Sequence, residues 1–271
     1  MGQTTAVSHD TTDDEAACMH ALSLLSGFVA PMTLKAVIEL GLIDELLAAD
    51  GQAVTPEELV AAGRWPRPAE AAAAVDRMLR FLATHSVVRC TTEVGPDGKD
   101  RRSYAATPVC KWLTTRNGGQ GSMAPLWMMN LDKAFMETWY YMKDAVTEGV
   151  TPTEKAYGMP LFEHLESNEA SSVLFNQAMG GHSEIITKKL LERYRGFEGI
   201  DGLVDVGGGT GVTLRMITAQ HKDMRGVNYD LPHVIAQAPP IQGKLLGESY
   251  TVCIFTINPT PLWWMPHIPF C

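Results

Sequence analysis

"LVDVGGGTGVTL", Leu203 to Leu214, decides how this sequence is read. The apolar run around Asp205 predicts a β-strand, and "VTLRMITAQ" from Val212 predicts a helix. Between them stand Gly207, Gly208, Gly209 and Gly211. Glycine lets a backbone approach a ligand closely and take positive φ, and the helix start beyond offers unpaired N–H groups. Strand, glycine turn and helix together predict the entrance to a nucleotide-cofactor domain.

Two cofactor classes use such a turn. The dinucleotide pattern G-x-G-x-x-G fails in every frame: counting from Gly207 the sixth place is Val212, from Gly208 the third is Thr210, and from Gly209 the sixth is Leu214. The pattern present is Asp205-x-Gly207-x-Gly209-x-Gly211, which resembles the first motif of class I S-adenosylmethionine-dependent methyltransferases. In that class an acid near the turn holds the ligand's ammonium group. A second acid at the end of the next strand accepts hydrogen bonds from ribose hydroxyls. "RGVNYDLPHVI" supplies one at Asp230, about twenty residues beyond the glycines.

Upstream, the first half is helical in pattern. Residues 1–15 are polar and acidic, lack the features of a signal peptide and are expected to be disordered. From Ala16 to Leu47 apolar residues recur at three- and four-residue spacing, with Pro31 and Gly41 expected to divide the stretch. "VTPEELV" predicts a helix start in which Thr55 caps, Pro56 takes the first position and Glu58 completes a capping box. "PAEAAAAVDRMLRFLATHSVV" predicts a helix with Val75, Met78, Leu79 and Leu82 on its apolar face. Two strand-like runs then flank Gly95-Pro96-Asp97-Gly98, a hairpin signal.

Helices followed by a hairpin predict a winged-helix-like arrangement, a fold often used on DNA. Lys99, Arg101 and Arg102 lie on the hairpin, but the helix that would enter the groove is alanine-rich and offers no polar fork to base edges. The formal charge of −9 also opposes a general binder of nucleic acid or anionic membrane. The expectation is therefore no nucleic acid and no membrane, since no apolar run approaches the roughly 18 residues of a span. The five scattered cysteines form no C-x-x-C pair and read as reduced thiols, which makes a cytoplasmic location the expectation. No metal site is expected.

From Ala124 to Tyr194 the chain is helical again and rich in methionine and aromatics. Such side chains either fill a core or line a pocket for a flat apolar ligand. Phe175, Met179 and His182 fall at i, i+4 and i+7, one helical stripe that would suit a phenolic ligand.

"LVDVGGGTG", "NYDLPHVI", "MNLDKAFMETWYYMKDAV" and "KAYGMPLFEH" together resemble the plant caffeic acid O-methyltransferases, which methylate phenolic hydroxyls of lignin precursors and flavonoids. The resemblance runs from about Ala16 to Pro240. It implies an α/β fold: a helical, winged-helix-like dimerisation domain over residues 16–115, a helical substrate-pocket region over 116–195, and a Rossmann-like methyltransferase domain beginning at 196–240. It further implies S-adenosyl-L-methionine as cofactor, a phenolic substrate and a cytoplasmic homodimer. Gly207 and Asp230 match the family's cofactor contacts, with Asp205, Gly209 and Gly211 beside them. Met129 and Asn130 match its substrate-contacting pair, and Phe175, Met179 and His182 its phenolic-pocket helix; Phe135 and Phe162 join them as candidate substrate-binding residues. Leu165 stands where caffeate-type members often have histidine and Ser171 where they often have phenylalanine, which sets flavonoids beside caffeate-like acids as acceptors.

A free phenol has a pKa near 10, and a positioned base contributes roughly 10²–10⁴-fold to its attack on the methyl group. The family's base histidine, in a His-Asp-Trp-like segment, is absent here, as are an Asp-Met pair beside the adenine and a later lysine. In their place residues 241–271 form an atypical, proline- and tryptophan-rich tail in which "YTVCIF" resembles one strand. The expectation is a methyltransferase domain left incomplete and an activity impaired, with no catalytic residue assigned. The alternative is a non-catalytic form that dimerises with a full-length homologue and modulates it.

Overall fold

The computed structural model describes residues 9–239, apart from 62, 64, 117 and 119, together with 253–254. The chain divides into two compact units, Met1–Met136 and Glu137–Cys271. The boundary falls inside the region 116–195 that the sequence reading treats as one.

The first unit contains helices α1 (His9–Leu25), α2 (Val29–Glu39), α3 (Leu42–Ala48), α4 (Pro56–Ala61) and α5 (Pro68–Thr84). A hairpin of β1 (Val88–Val94) and β2 (Asp100–Ala106) follows, then a 3₁₀ turn over Pro108–Trp112 and α6 (Ala124–Asn130). Helix α1 begins inside the stretch expected to be disordered. The break before α2 lies at Ser26–Phe28 rather than at Pro31, because Pro31 occupies the first turn of α2, where its missing N–H breaks no helical bond. Gly41, at φ 70°, separates α2 from α3 as expected.

By length and composition Asp13–Glu39 is apolar enough to cross a membrane, 27 residues at mean hydropathy 1.7, where the sequence reading found no such run. Scattered serines and threonines break the apolar run without adding charge. Its second half is core, since α2 buries Leu34, Val37 and Ile38. Its first half leaves Met19, Leu22, Leu24 and Leu25 exposed.

The core of this unit is one contiguous cluster from α2 to α6, with Val37, Leu46, Leu79 and Tyr104 sealed from solvent. Local signals set its frame. Thr55 N–H donates to Glu58 Oε2 at 2.8 Å and Glu58 N–H donates to Thr55 Oγ1 at 3.3 Å, the capping box expected at α4. Helix α5 buries Val75, Leu79 and Leu82 on the expected stripe, with Ala72 beside them. Two carboxylates then tie distant elements. Asp76 on α5 accepts from Tyr104 Oη at 2.7 Å and from Arg102 Nε and Nη2, each at 2.9 Å. Buried Asp44 accepts from the Thr114 and Thr115 hydroxyls and from Thr115 N–H at 3.1 Å. Of the hairpin cations, Arg102 is thus engaged by Asp76, and Arg101 reaches Asp97 at 3.7 Å.

Helix α7 (Lys133–Trp139) crosses the boundary. The second unit continues with α8 (Met142–Glu148), α9 (Pro152–Tyr157), α10 (Leu161–Ser167) and α11 (Glu169–Arg193). Then come β3 (Gly202–Val206), α12 (Val212–Gln220), β4 (Arg225–Asp230), α13 (Pro232–Ile235) and β5 (Cys253–Ile254). The sheet is parallel in the order β3-β4-β5. Strand β5 lies within the expected "YTVCIF" strand; the other readings of 241–271 fall outside the described residues.

Helix α12 sits close on β4: a Cβ on Gly226 would meet Leu214 Cγ and Thr218 Cγ2 at 3.1 Å. Helix α11 packs on α12, with Gly180 giving room to Val212 and Thr187 Oγ1 lying 3.3 Å from Thr213 Oγ1. Val204 and Val206, on one face of β3, are 58% and 63% exposed, although parallel strands are normally covered on both faces.

Candidate functional site

The glycine turn is built as the sequence predicts. Gly207, Gly209 and Gly211 take φ of 76°, 59° and 78°, a region a β-carbon disfavours, and Gly211 is the residue from which α12 starts. Beyond Gly207 and Gly209 nothing lies within 4 Å of where a Cβ would stand, so a ligand can meet bare backbone there.

Strand β4 holds the turn from below. Gly207 N–H donates to Tyr229 O at 2.7 Å, continuing the ladder in which Asp205 is paired with Asn228. Gly209 is held at both ends: its N–H donates to Asp230 Oδ2 at 2.7 Å, and its carbonyl accepts from Asn228 Nδ2 at 2.9 Å. The other Asp230 oxygen accepts Leu231 N–H at 2.7 Å, which fixes the carboxylate plane. Arg215 Nη1 donates to Thr210 O at 3.2 Å and closes the turn on the helix side.

Asp205, the acid in β3, is half-buried, and its carboxyl turns under Gly208: its Cγ and Oδ2 lie 2.8 Å from where a Gly208 Cβ would stand. Burial raises its pKa above the usual carboxylate range, and the neighbouring charge of Asp230 raises it further. Two acids, one of them reluctant to ionise, and a turn of bare backbone suit a ligand carrying hydroxyls and a positive charge. These features fit S-adenosylmethionine, whose ribose would be held by Asp230 and whose amino-acid end would meet the turn.

The candidate substrate residues divide between the units. Met129 is buried near the end of α6, Asn130 next to it is exposed, and Phe135 on α7 is half-buried. In the second unit Phe162 on α10 meets Phe175 on α11 edge to face, ring centroids 6.2 Å apart. Met179 and His182 continue the α11 stripe, half-buried. Leu165 and Ser171, the two departures from the caffeate pattern, are both buried, so neither offers a polar group at the surface of this wall.

Sequence reasoning missed two residues. Asn228 carried no signal, because its importance comes from the strand register. His164 stacks on Tyr157 with centroids 4.0 Å apart, and its Nε2 is buried without a hydrogen-bond partner. Its one-residue offset from Leu165 could have marked it as the imidazole nearest the position where a histidine was sought.

A parallel strand–turn–helix–strand with alternate glycines and an acid closing the second strand defines a Rossmann-like cofactor domain. Residues 22–116 match the O-methyltransferase dimerisation domain and residues 139–249 the O-methyltransferase domain. The chain belongs to the O-methyltransferase family. It is 66% identical over 259 residues to naringenin 7-O-methyltransferase of Oryza sativa subsp. japonica, covering 93% of this chain and 69% of that protein. It is 54% identical over 237 residues to caffeic acid 3-O-methyltransferase of Zea mays, covering 85% and 64%. The chain thus spans about two thirds of the length of the curated relatives it matches. Among solved structures, human N-acetylserotonin methyltransferase in complex with SAM shares the fold at TM-score 0.70 and 20% identity, covering 97% of this chain and 70% of that one.

Proposed function

We propose that this chain binds S-adenosylmethionine in the Gly207–Gly211 turn and takes a phenolic acceptor, flavonoid in type, beside α10 and α11. The observation that carries the reading is the double hold on Gly209, which presents the turn's backbone and Asp230 together. The flavonoid preference draws on the naringenin relative and on an acceptor wall in which Leu165 and Ser171 are buried.

The cofactor, when bound, supplies an electrophilic methyl group. The chain's own residues orient the acceptor: Phe162 and Phe175 give edge-to-face aromatic walls, Met179 adapts to a ring, and His182 offers a polar end. Among the described residues no histidine is paired with a carboxylate that would orient it as a base. On this reading transfer by this chain runs roughly 10²-fold or more below that of a relative with a positioned base, the share such a base contributes. Labelled S-adenosylmethionine with naringenin and caffeate as acceptors, and calorimetry with S-adenosylhomocysteine, test the reading. Tight binding with slow transfer, faster to naringenin, supports it; no binding of S-adenosylhomocysteine by folded protein defeats it.

The exposed residues of α1 favour a second role. Met19, Leu22 and Leu25 form an apolar face at the edge of the matched dimerisation domain, and such a face is suited to self-association or to pairing with a full-length homologue in the cytoplasm. Co-expression with a tagged full-length relative decides between these, and a failure to co-purify removes the mixed dimer.

A further inference from the structure

We propose that Asn228 is a positioning residue of the cofactor turn, acting as the prop beneath Gly208 and Gly209; the proposal rests on the cofactor reading above. Asn228 is 7% exposed and sits in the middle of β4, paired in register with Asp205. Its two amide atoms do different things. Nδ2 donates to Gly209 O at 2.9 Å and so fixes the peptide that follows Gly209. Oδ1 is buried with no hydrogen-bond partner and lies 2.1 Å from where a Cβ on Gly208 would stand. Gly208 is not among the glycines at positive φ, so its lack of a side chain answers to the space beneath it, where Asn228 Oδ1 comes nearest.

The remaining neighbours of that corner agree. The Asp205 carboxyl reaches the same point from β3 at 2.8 Å, and a Cβ on Gly211 would lie 3.5 Å from Asn228 Nδ2. Asn228 therefore touches three of the four glycines from the protein side, while the ligand side of the turn stays open. A leucine, branched alike but bulkier, would occupy the space and leave Gly209 O without its donor. Gly209 would then be held only through its N–H and Asp230, the group a ribose would also claim. Retaining an unpartnered buried acceptor is unfavourable for stability, and such a group persists where function needs its other end.

The test is a cycle of Asn228→Ala, Gly208→Ala and the double variant, each titrated with S-adenosylhomocysteine by calorimetry, with naringenin binding and the unfolding midpoint measured alongside. Each single change is expected to weaken S-adenosylhomocysteine binding at least tenfold while leaving naringenin affinity within about threefold, as a shift confined to the turn requires. Because the methyl added by Gly208→Ala strikes the Asn228 amide, Asn228→Ala relieves that clash, and the double variant should be no weaker than the worse single one. Losses that multiply in the double variant, or S-adenosylhomocysteine affinity unchanged in folded Asn228→Ala, would overturn the proposal, as would a fall in the midpoint with both ligands weakened equally. If Asn228→Ala does not fold, Asn228→Leu decides, since it keeps the branched shape and removes the donor to Gly209 O; unchanged S-adenosylhomocysteine affinity in that variant overturns the proposal. Wild-type protein that fails to bind S-adenosylhomocysteine rejects the cofactor reading itself, a result distinct from variants that bind normally.

Discussion

The two units of this chain bury their apolar residues in different ways. The first unit closes one continuous core from α2 to α6 around Leu46, Leu79 and Tyr104. The second has shorter buried sets, Leu214 and Ile217 under β4 and Leu165 and Ala178 among the helices, while β3 leaves Val204 and Val206 in solvent. In the first unit carboxylates serve the fold: Asp44 and Asp76 are bound to hydroxyls and a guanidinium. In the second they gather at a turn, where the charge of Asp230 acts on Asp205 and neither forms an ion pair among the described residues. The difference teaches that the residues closing the large core and those facing the cofactor turn lie in separate parts of the sequence, and that the second part keeps two acids at an open turn for a ligand to meet.

The sharpest way to break this comparison is to make the same cavity in both units. Leu79→Ala is expected to lower stability by about 3–5 kcal/mol, because its neighbours are too well packed to close the hole. Leu214→Ala, equally buried but beside a half-open sheet, should cost about 2–3 kcal/mol. Hydrogen exchange should place its effect on β3, α12 and β4 rather than on the whole chain. Equal losses in urea unfolding would remove the distinction.

Acid should act on the two units with opposite signs. Asp76 is held below its ordinary 3.8, first by the Arg102 hydrogen bond, so its contribution is full above that value and is lost as pH falls through the depressed pKa. Asp205 is held above 3.8 by burial and by Asp230, so protonation relieves it and the ligand-free second unit gains stability as pH falls through the raised pKa. The same protonation removes a negative charge from the turn. Affinity for S-adenosylmethionine should therefore be full above that pKa and fall below it, while Asp205→Asn should flatten the profile. An affinity that does not fall as pH drops from neutral through the raised pKa would detach Asp205 from the ligand's charge.

The smallest expected effect is local. Thr55→Ala removes one cap of α4 and should cost about 1 kcal/mol, read as a shift in unfolding midpoint with no change in ligand affinity.

Much of this was legible in the chain because it depends on residues close together. The capping box needs only Thr55 and Glu58, the α5 stripe only a period, and the hairpin only Gly95 to Gly98. The strand, turn and helix from Leu203 to Leu214 likewise follow from alternation and glycine, and they carried the cofactor class with them. Misreadings arose where two local rules competed. Pro31 looked like a break but fits the first turn of a helix, and uncharged polar residues hid how apolar Asp13–Glu39 is.

What the sequence by itself determined was therefore the order of elements, the family and the open face of the glycine turn. Only the tertiary structure decided which polar groups meet: Asp44 with Thr114 and Thr115, Asp76 with Arg102 and Tyr104, and Asn228 with Gly208 and Gly209. Periodicity and turn chemistry act within one or two turns of chain, whereas those contacts join residues about twenty to seventy positions apart. Their partners are set by strand register and helix packing, which no local pattern encodes.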